Sequence, residues 1–266
     1  MTLRPYKILL LCLLPLSLLC AQDTTFTNNT GMKFILVRPG NMIVGRFQPT
    51  VFKTSQSSDS IYKQALEMAK RDAMPGFKVN IAYPFYMSQF EVTQEQWEKV
   101  MGANPSYFKG DKVKDDAGQH PVENVAWNDA QKFIKKLNEL EKGKAVYRLP
   151  TEFEWEYAAR AGAENDISWN EIFKSAVIAT TTTNMVGKKK PNAWGLYDML
   201  GNVWEWVQDP YNEKIFADPI PPKKAKQHVL KGASFYGDVK NATYMTHAAG
   251  PASKYDVGFR VVMEVK

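Results

Sequence analysis

The sequence predicts a folded region of mixed helix and strand with much irregular structure, and three observations carry that expectation. The 266 residues suffice for one large domain or two small ones around a buried core. Apolar residues make up 44% and charged residues 23% of the chain, ordinary globular proportions that rule out a fibre or a disordered tail. Seven Trp within a 12% aromatic share point to loops packed around large rings.

The chain opens with Arg4 and Lys7, an apolar run from Ile8 to Leu19, and the small residue Ala21 before polar Gln22. This is the pattern of a secretory leader, with residues 1–21 as signal peptide and 22–266 as the folded part. The run is short for a bilayer span and no later stretch is as apolar, so an exported protein, periplasmic or secreted, without a transmembrane span is expected. Acylation of Cys20 is the lipoprotein alternative, which the bulky Leu19 disfavours. Cys12 and Cys20 are the only cysteines, so cleavage after Ala21 would leave no thiol for a disulfide, a thiolate metal site or a nucleophile. The net charge of +6 is spread along the chain rather than gathered, and no nucleic-acid partner is expected.

Local patterns place the elements. Met32 to Val44 alternates as an opening strand with Pro39-Gly40 as a turn signal inside it. Ser57 to Lys70 reads as a helix with Ile61, Ala65, Met68 and Ala69 on one face, ended by Met74-Pro75-Gly76. Phe85-Tyr86-Met87 is a short aromatic strand. Thr93 with Gln96, Asn128 with Gln131, and Thr151 with Glu154 each form a capping box, the second before an apolar stripe of Ala130, Phe133, Ile134, Leu137 and Leu140. Gly162 is placed to end the third helix. Beyond it the chain reads as loops, turns and short strands, with Thr180 to Thr183 and Pro219 to Lys226 as exposed loops. Asn28-Asn29-Thr30 and Asn241-Ala242-Thr243 match the glycosylation pattern. The role of the insertion from Phe47 to Phe77, over the groove or on the surface, stays open.

An ordered series of motifs runs through the chain. Phe90-Glu91-Val92-Thr93 with Trp97 is followed by Pro121-Val122, Val125 and Trp127 to Ala130, then Tyr147-Arg148-Leu149-Pro150-Thr151-Glu152. Glu154 to Arg160, Gly195-Leu196-Tyr197-Asp198-Met199 and Gly201-Asn202-Val203-Trp204-Glu205-Trp206 come next, and Lys231-Gly232-Ala233-Ser234 and Gly258-Phe259-Arg260 close the series. In this order the segments resemble the formylglycine-generating enzyme, or sulfatase-modifying factor, family. The resemblance implies a single α+β domain related to the C-type-lectin fold, with little regular secondary structure. Trp97, Trp127, Trp155, Trp204 and Trp206 are expected in the core. The charges between Thr151 and Arg160 are expected at caps and in surface ion pairs.

The resemblance also implies a structural Ca²⁺, held by the side chains of Asp198 and Glu205 and the carbonyls of Gly201 and Val203. A hard cation suits that all-oxygen set, and Gly201 frees the backbone to turn its carbonyl inward. The alternative is that both carboxylates satisfy loop amides. Of the family's second calcium site only Asn184-Met185 can be matched. The catalytic comparison points the other way. The family oxidises a substrate cysteine with two copper-binding cysteines, and counting from Gly232-Ala233-Ser234 puts Gly237 and Ala242 at their positions. Neither carries sulfur, so no copper is expected there. Ala248-Ala249 is followed by Gly250-Pro251, where the family has a basic residue.

Ser234, Tyr236, Asp238, His247 and Arg260 remain as candidate catalytic residues in the region that lines the family's site, with His247 as a candidate general acid or base. The other two histidines, His120 and His228, show no metal-ligand spacing with it, and His120 before Pro121 reads as a turn residue. Two functions follow. One is a binding or assembly module holding a peptide or protein partner. The alternative is a cysteine-independent periplasmic enzyme, as in the family branch that oxidatively matures the chromophore of the peptide siderophore pyoverdine.

Overall fold

The two halves of the first apolar stretch go to different sheets, because Pro39-Gly40 breaks the strand where the chain must pass close under a helix. β1 (Thr25–Thr27) and β2 (Lys33–Val37) precede the break and β3 (Gly40–Val44) follows it. A β-carbon at Gly40 would run into the Tyr157 hydroxyl, which would have to shift to admit it. The computed structural model describes residues 24–45, 58–73, 76–216, 222, 226–250 and 253–264. The expected leader, both cysteines and most of the loop from Pro219 to Lys226 lie outside the described residues, as does much of the insertion from Phe47 to Phe77.

α1 (Asp59–Ala73) confirms a helix in that insertion. Ile61 on the predicted apolar face is 60% exposed. The side chains of Ala65, Met68 and Ala69 lie outside the described residues. β4 (Phe77–Ile81) pairs with β3 as a two-stranded ribbon. β5 (Phe85–Ser88) is the expected aromatic strand. α2 (Gln94–Met101) starts at the predicted box: Thr93 Oγ1 accepts from Gln96 N and Gln96 Oε1 from Thr93 N, while Gly102 at φ 85° ends it.

α3 (Trp127–Leu140) starts earlier than predicted. Ala126 is its N-cap, and Asp129 reaches back to the Ala126 amide at 3.3 Å, so Asn128 and Gln131 lie inside the helix. Ala130, Phe133, Ile134 and Leu137 are buried as the periodicity predicts, but Leu140 at the last turn is exposed. β6 (Tyr147–Arg148) leads into α4 (Glu152–Arg160), capped by Thr151 and Glu154 as read from the sequence. The helix ends two residues before Gly162, with Ala161 as its C-cap in the left-handed region at φ 46°. α5 (Trp169–Ser175), capped by Ser168, lies where only loops, turns and short strands were expected. β7 (Trp204–Pro210), β8 (His228–Lys231), β9 (His247–Ala249), β10 (Val257–Phe259) and β11 (Val262–Glu264) complete the chain.

These strands form an antiparallel sheet in the order β1-β2-β5-β11-β6 and a second sheet in the order β10-β7-β8-β9, in which only β10 and β7 run parallel. Strand alternation divides the core. Phe85 and Met87 of β5 and Val262 of β11 join Trp155, Leu200 and Val229 on one side, while Tyr86 and Met263 join Phe34, Trp97, Phe133, Tyr147 and Phe259 on the other. Trp97 stacks on Phe133 with centroids 5.3 Å apart. Of the five tryptophans expected in the core, Trp97, Trp155 and Trp206 are buried and Trp127 and Trp204 half-buried. The result is one α+β domain.

The charges of α4 are not on the surface. Glu152, Glu154, Glu156 and Arg160 are all buried, because the helix packs against β7 and β8 and its Trp155, Tyr157, Ala158 and Ala159 join the core. Each finds a partner. Arg148 grips Glu154 with two 2.7 Å bonds, Arg160 bonds Glu156 at 2.7 Å, and the fully buried Lys231 sits 3.3 Å from Glu156 and 3.8 Å from Glu152. Thr183, expected in an exposed loop, is buried against His120. Asn28 of the first glycosylation pattern is buried too, its amide oxygen accepting from Thr30 and Met32. Among the described residues, no helix is long and apolar enough to cross a membrane.

Candidate functional site

Arg260, on the turn between β10 and β11, is the centre of a buried charge cluster. Its Nε and Nη2 donate to the two oxygens of Glu205 at 2.6 and 2.7 Å, Nη1 donates to the Ser88 carbonyl, and Nη2 also reaches the Tyr197 carbonyl. Glu205 Oε2 accepts in addition from Trp155 Nε1 at 2.7 Å. Every guanidinium nitrogen is thus committed, and the residue is fully buried. The structure therefore places this catalytic candidate in the core, bonded on all sides to groups of the protein itself.

Two more carboxylates join this cluster. Glu91, at the end of the loop after β5, accepts from the Asn202 side chain at 2.8 Å and the Val203 amide at 3.2 Å. Burial pushes it well above the usual carboxylate range, and the Asp198 and Glu205 charges push it further. Asp198 holds the Gly187 amide through Oδ2, while its Oδ1 is buried without a hydrogen-bond partner. Burial raises its pKa to about 6. Three carboxylates thus stand around one guanidinium, and Asp198 Oδ1 is a buried acceptor that no donor of the protein satisfies. Glu205, by contrast, already spends both oxygens on Arg260 and Trp155. Among the described residues no group of three or more His, Cys, Asp or Glu converges on one metal position.

The remaining candidates do not share one set of partners. Ser234 is buried and donates to Asp256 at 3.1 Å. Tyr236, two residues on, is exposed, and Asp238 is exposed beside the short 3-10 turn Val239–Asn241. His247 pairs across the sheet with Lys231 and lies between the rings of Tyr211 and Phe216, with Nδ1 3.1 Å from Glu152 Oε1 and off the hydrogen-bonding direction. Burial alone would push Glu152 up, but the His247 ring and the Lys231 ammonium more than offset it and hold that carboxyl below its ordinary range. Gly237 sits in a tight turn where its amide donates to the Ser234 carbonyl, and Ala242 is fully buried.

Glu123 was not singled out from the sequence. It is fully buried, Oε1 accepts from the Phe108 amide at 2.8 Å, and Oε2 has no partner. Burial lifts its pKa to about 7 and the nearby Asp256 charge adds to that, so it can hold a proton near neutrality. Its only sequence signal was its place directly after Pro121-Val122 in the ordered motifs.

A family model for the sulfatase-modifying factor enzyme 1-like domain matches residues 21–265. The chain belongs to this family. It is 28% identical over 239 residues to the chaperone protein LppX of Paenibacillus barcinonensis, a match covering 67% of this chain and 79% of LppX. It is 32% identical over 164 residues to the formylglycine-generating enzyme of Mus musculus, covering 52% of this chain but only 42% of that enzyme. In structure it is similar to PvdO from Pseudomonas aeruginosa, with a TM-score of 0.73 and 23% identity over 91% of this chain and 98% of PvdO, a likeness of fold.

Proposed function

We propose that this family member is an exported binding or assembly module that holds a peptide or protein partner and does not make formylglycine. The observation that carries the reading is the pair of positions 237 and 242. A glycine locked in a turn and an alanine buried in the core stand where the family's cysteines are expected, and the remaining cysteines lie at positions 12 and 20. Arg260, Ser234 and His247 are each engaged with a carboxylate of the protein itself, which favours a structural duty for them over turnover. The similarity to a protein named as a chaperone supports binding without group transfer.

In this reading a Ca²⁺ would be held by the free Asp198 Oδ1 and the Gly201 and Val203 carbonyls, with Glu205 joining only by sharing an oxygen already bonded to Arg260 or Trp155. It would pin the loop between α5 and β7. The test is direct: the mature protein, purified from an exporting host, is incubated with a cysteine-containing sulfatase peptide, copper and oxygen, and the peptide is followed by mass spectrometry. The expected result is unchanged peptide. An aldehyde product overturns the proposal, and turnover of another peptide that is abolished by His247→Ala at unchanged melting temperature moves the assignment to the cysteine-independent oxidase.

A further inference from the structure

Three tyrosines that are far apart in the chain lie together at the surface. Tyr107 is 51% exposed, Tyr236 70% and Tyr255 46%. They stand on two buried rings, Phe108 and Phe235, which meet edge to face at 5.2 Å. Tyr255 bridges the group, with ring centroids 6.1 Å from Tyr107, 6.1 Å from Phe108 and 6.3 Å from Phe235, and Tyr236 adjoins Phe235 at 6.5 Å. Single exposed rings are ordinary; a contiguous group is the mark of an interaction surface.

The base of this patch is fixed. The Phe108 amide donates to buried Glu123, the Phe235 amide to the Asn202 carbonyl at 2.8 Å, and Ser234 to Asp256, so all three contributing segments are tied to the core beneath them. Tyrosines on a rigid base offer large amphipathic contact area at small entropic cost, which is why they recur at recognition surfaces.

The rim is basic. Lys112 Nζ lies 3.3 Å from the centre of the Tyr107 ring, Lys109 donates to the Asn104 carbonyl at 2.6 Å, and Lys254 is exposed next to Tyr255. None of the ion pairs among the described residues involves these three lysines. Of the carboxylates nearby, Asp256 is taken by Ser234, Asp238 has an interaction of its own, and exposed Asp111 lies between Lys109 and Lys112 in sequence. Three lysines outside those ion pairs therefore border the rings, with exposed Asp111 and the Asp256 carboxylate as anions beside them.

We infer that the Tyr107, Tyr236 and Tyr255 face is where this module docks its partner, and that the partner presents an extended acidic segment carrying aromatic or proline side chains. Its rings pack on the tyrosines and its carboxylates meet Lys109, Lys112 and Lys254. The inference rests on the partner-binding reading and gives that reading a location and a chemistry.

Fluorescence anisotropy of the mature chain tests it with two labelled twelve-residue peptides, one alternating Glu with Phe and Pro, the other with Lys in place of Glu. The acidic peptide is expected to bind and to weaken by about tenfold between 50 and 300 mM NaCl as screening sets in. Tyr107→Ala with Tyr255→Ala should weaken it by about tenfold or more at unchanged melting temperature, since both side chains are largely in solvent. Lys112→Glu with Lys254→Glu should transfer the preference to the lysine peptide. Equal binding of both peptides, binding untouched by the tyrosine substitutions, no binding of either, or preference for phosphatidylserine vesicles would each overturn the assignment of this face. None of these outcomes produces an aldehyde, so the absence of formylglycine chemistry is judged separately.

Discussion

Glu123 gives the domain a pH dependence that one substitution can isolate. Its Oε2 lies buried without a partner, and burial displaces its pKa from the ordinary 4.5 to about 7. Between those values the folded chain therefore binds this proton while the unfolded chain has released it. Stability from this group is fully present below about pH 4.5 and is lost as pH rises to about 7, with no further change above. Each tenfold difference in proton affinity is worth about 1.4 kcal/mol, so the loss amounts to about 3 kcal/mol. Glu123→Gln keeps an oxygen for the Phe108 amide and does not titrate. Urea denaturation of both proteins at pH 4.5 and pH 8 should show their stability difference moving by about 3 kcal/mol in favour of the variant at the higher pH. Asp198 and Asp209, both raised to about 6 by burial, contribute equally to both proteins and cancel. A difference that stays constant, or moves the other way, would refute a neutral buried carboxyl at this position.

Arg260→Met should cost about 3–5 kcal/mol in urea denaturation, because Glu205 keeps only the Trp155 donor in a buried place. Arg260→Lys should recover only part of it, as one ammonium cannot serve two carboxylate oxygens and two carbonyls at once. Gly40→Ala should lose about 1–3 kcal/mol through collision with the Tyr157 hydroxyl, and the loss should shrink in a Tyr157→Phe background. If the proposed calcium is present, a chelator should lower the melting temperature and Asp198→Ala should abolish that response. Equal melting temperatures with and without chelator would count against the metal.

Local signals in the sequence were read well where one turn of chain decides the outcome. The Thr93 and Thr151 caps are set by side chains three residues apart, and β5 by three adjacent aromatic or apolar residues. The start of α3 was misplaced because two overlapping cap patterns compete there, and Asp129 reaching the Ala126 amide prevails over Asn128. Burial of α4 could not be seen locally. Its glutamates resemble a solvated face until Arg148, Lys231 and His247, brought by three other strands, are set against them. The buried roles of Glu91, legible only as part of a motif, and of Glu123 are hidden for the same reason: their partners Asn202 and Phe108 are 111 and 15 residues away, and no spacing rule joins them. Arg260 was assigned to chemistry because its neighbours in sequence line a cleft in the family, whereas its side chain turns inward to Glu205.

The inward-facing charges of α4 bear on how the domain comes apart. Glu154 is held from β6, Glu152 and Glu156 from β8, and Glu152 also from β9. Peeling away any of these strands alone would strand an ion in an oily medium, a penalty far larger than the few backbone bonds released. Partial opening is thereby suppressed, and the amides of α4 and β8 should exchange with deuterium only through events that disrupt the whole domain.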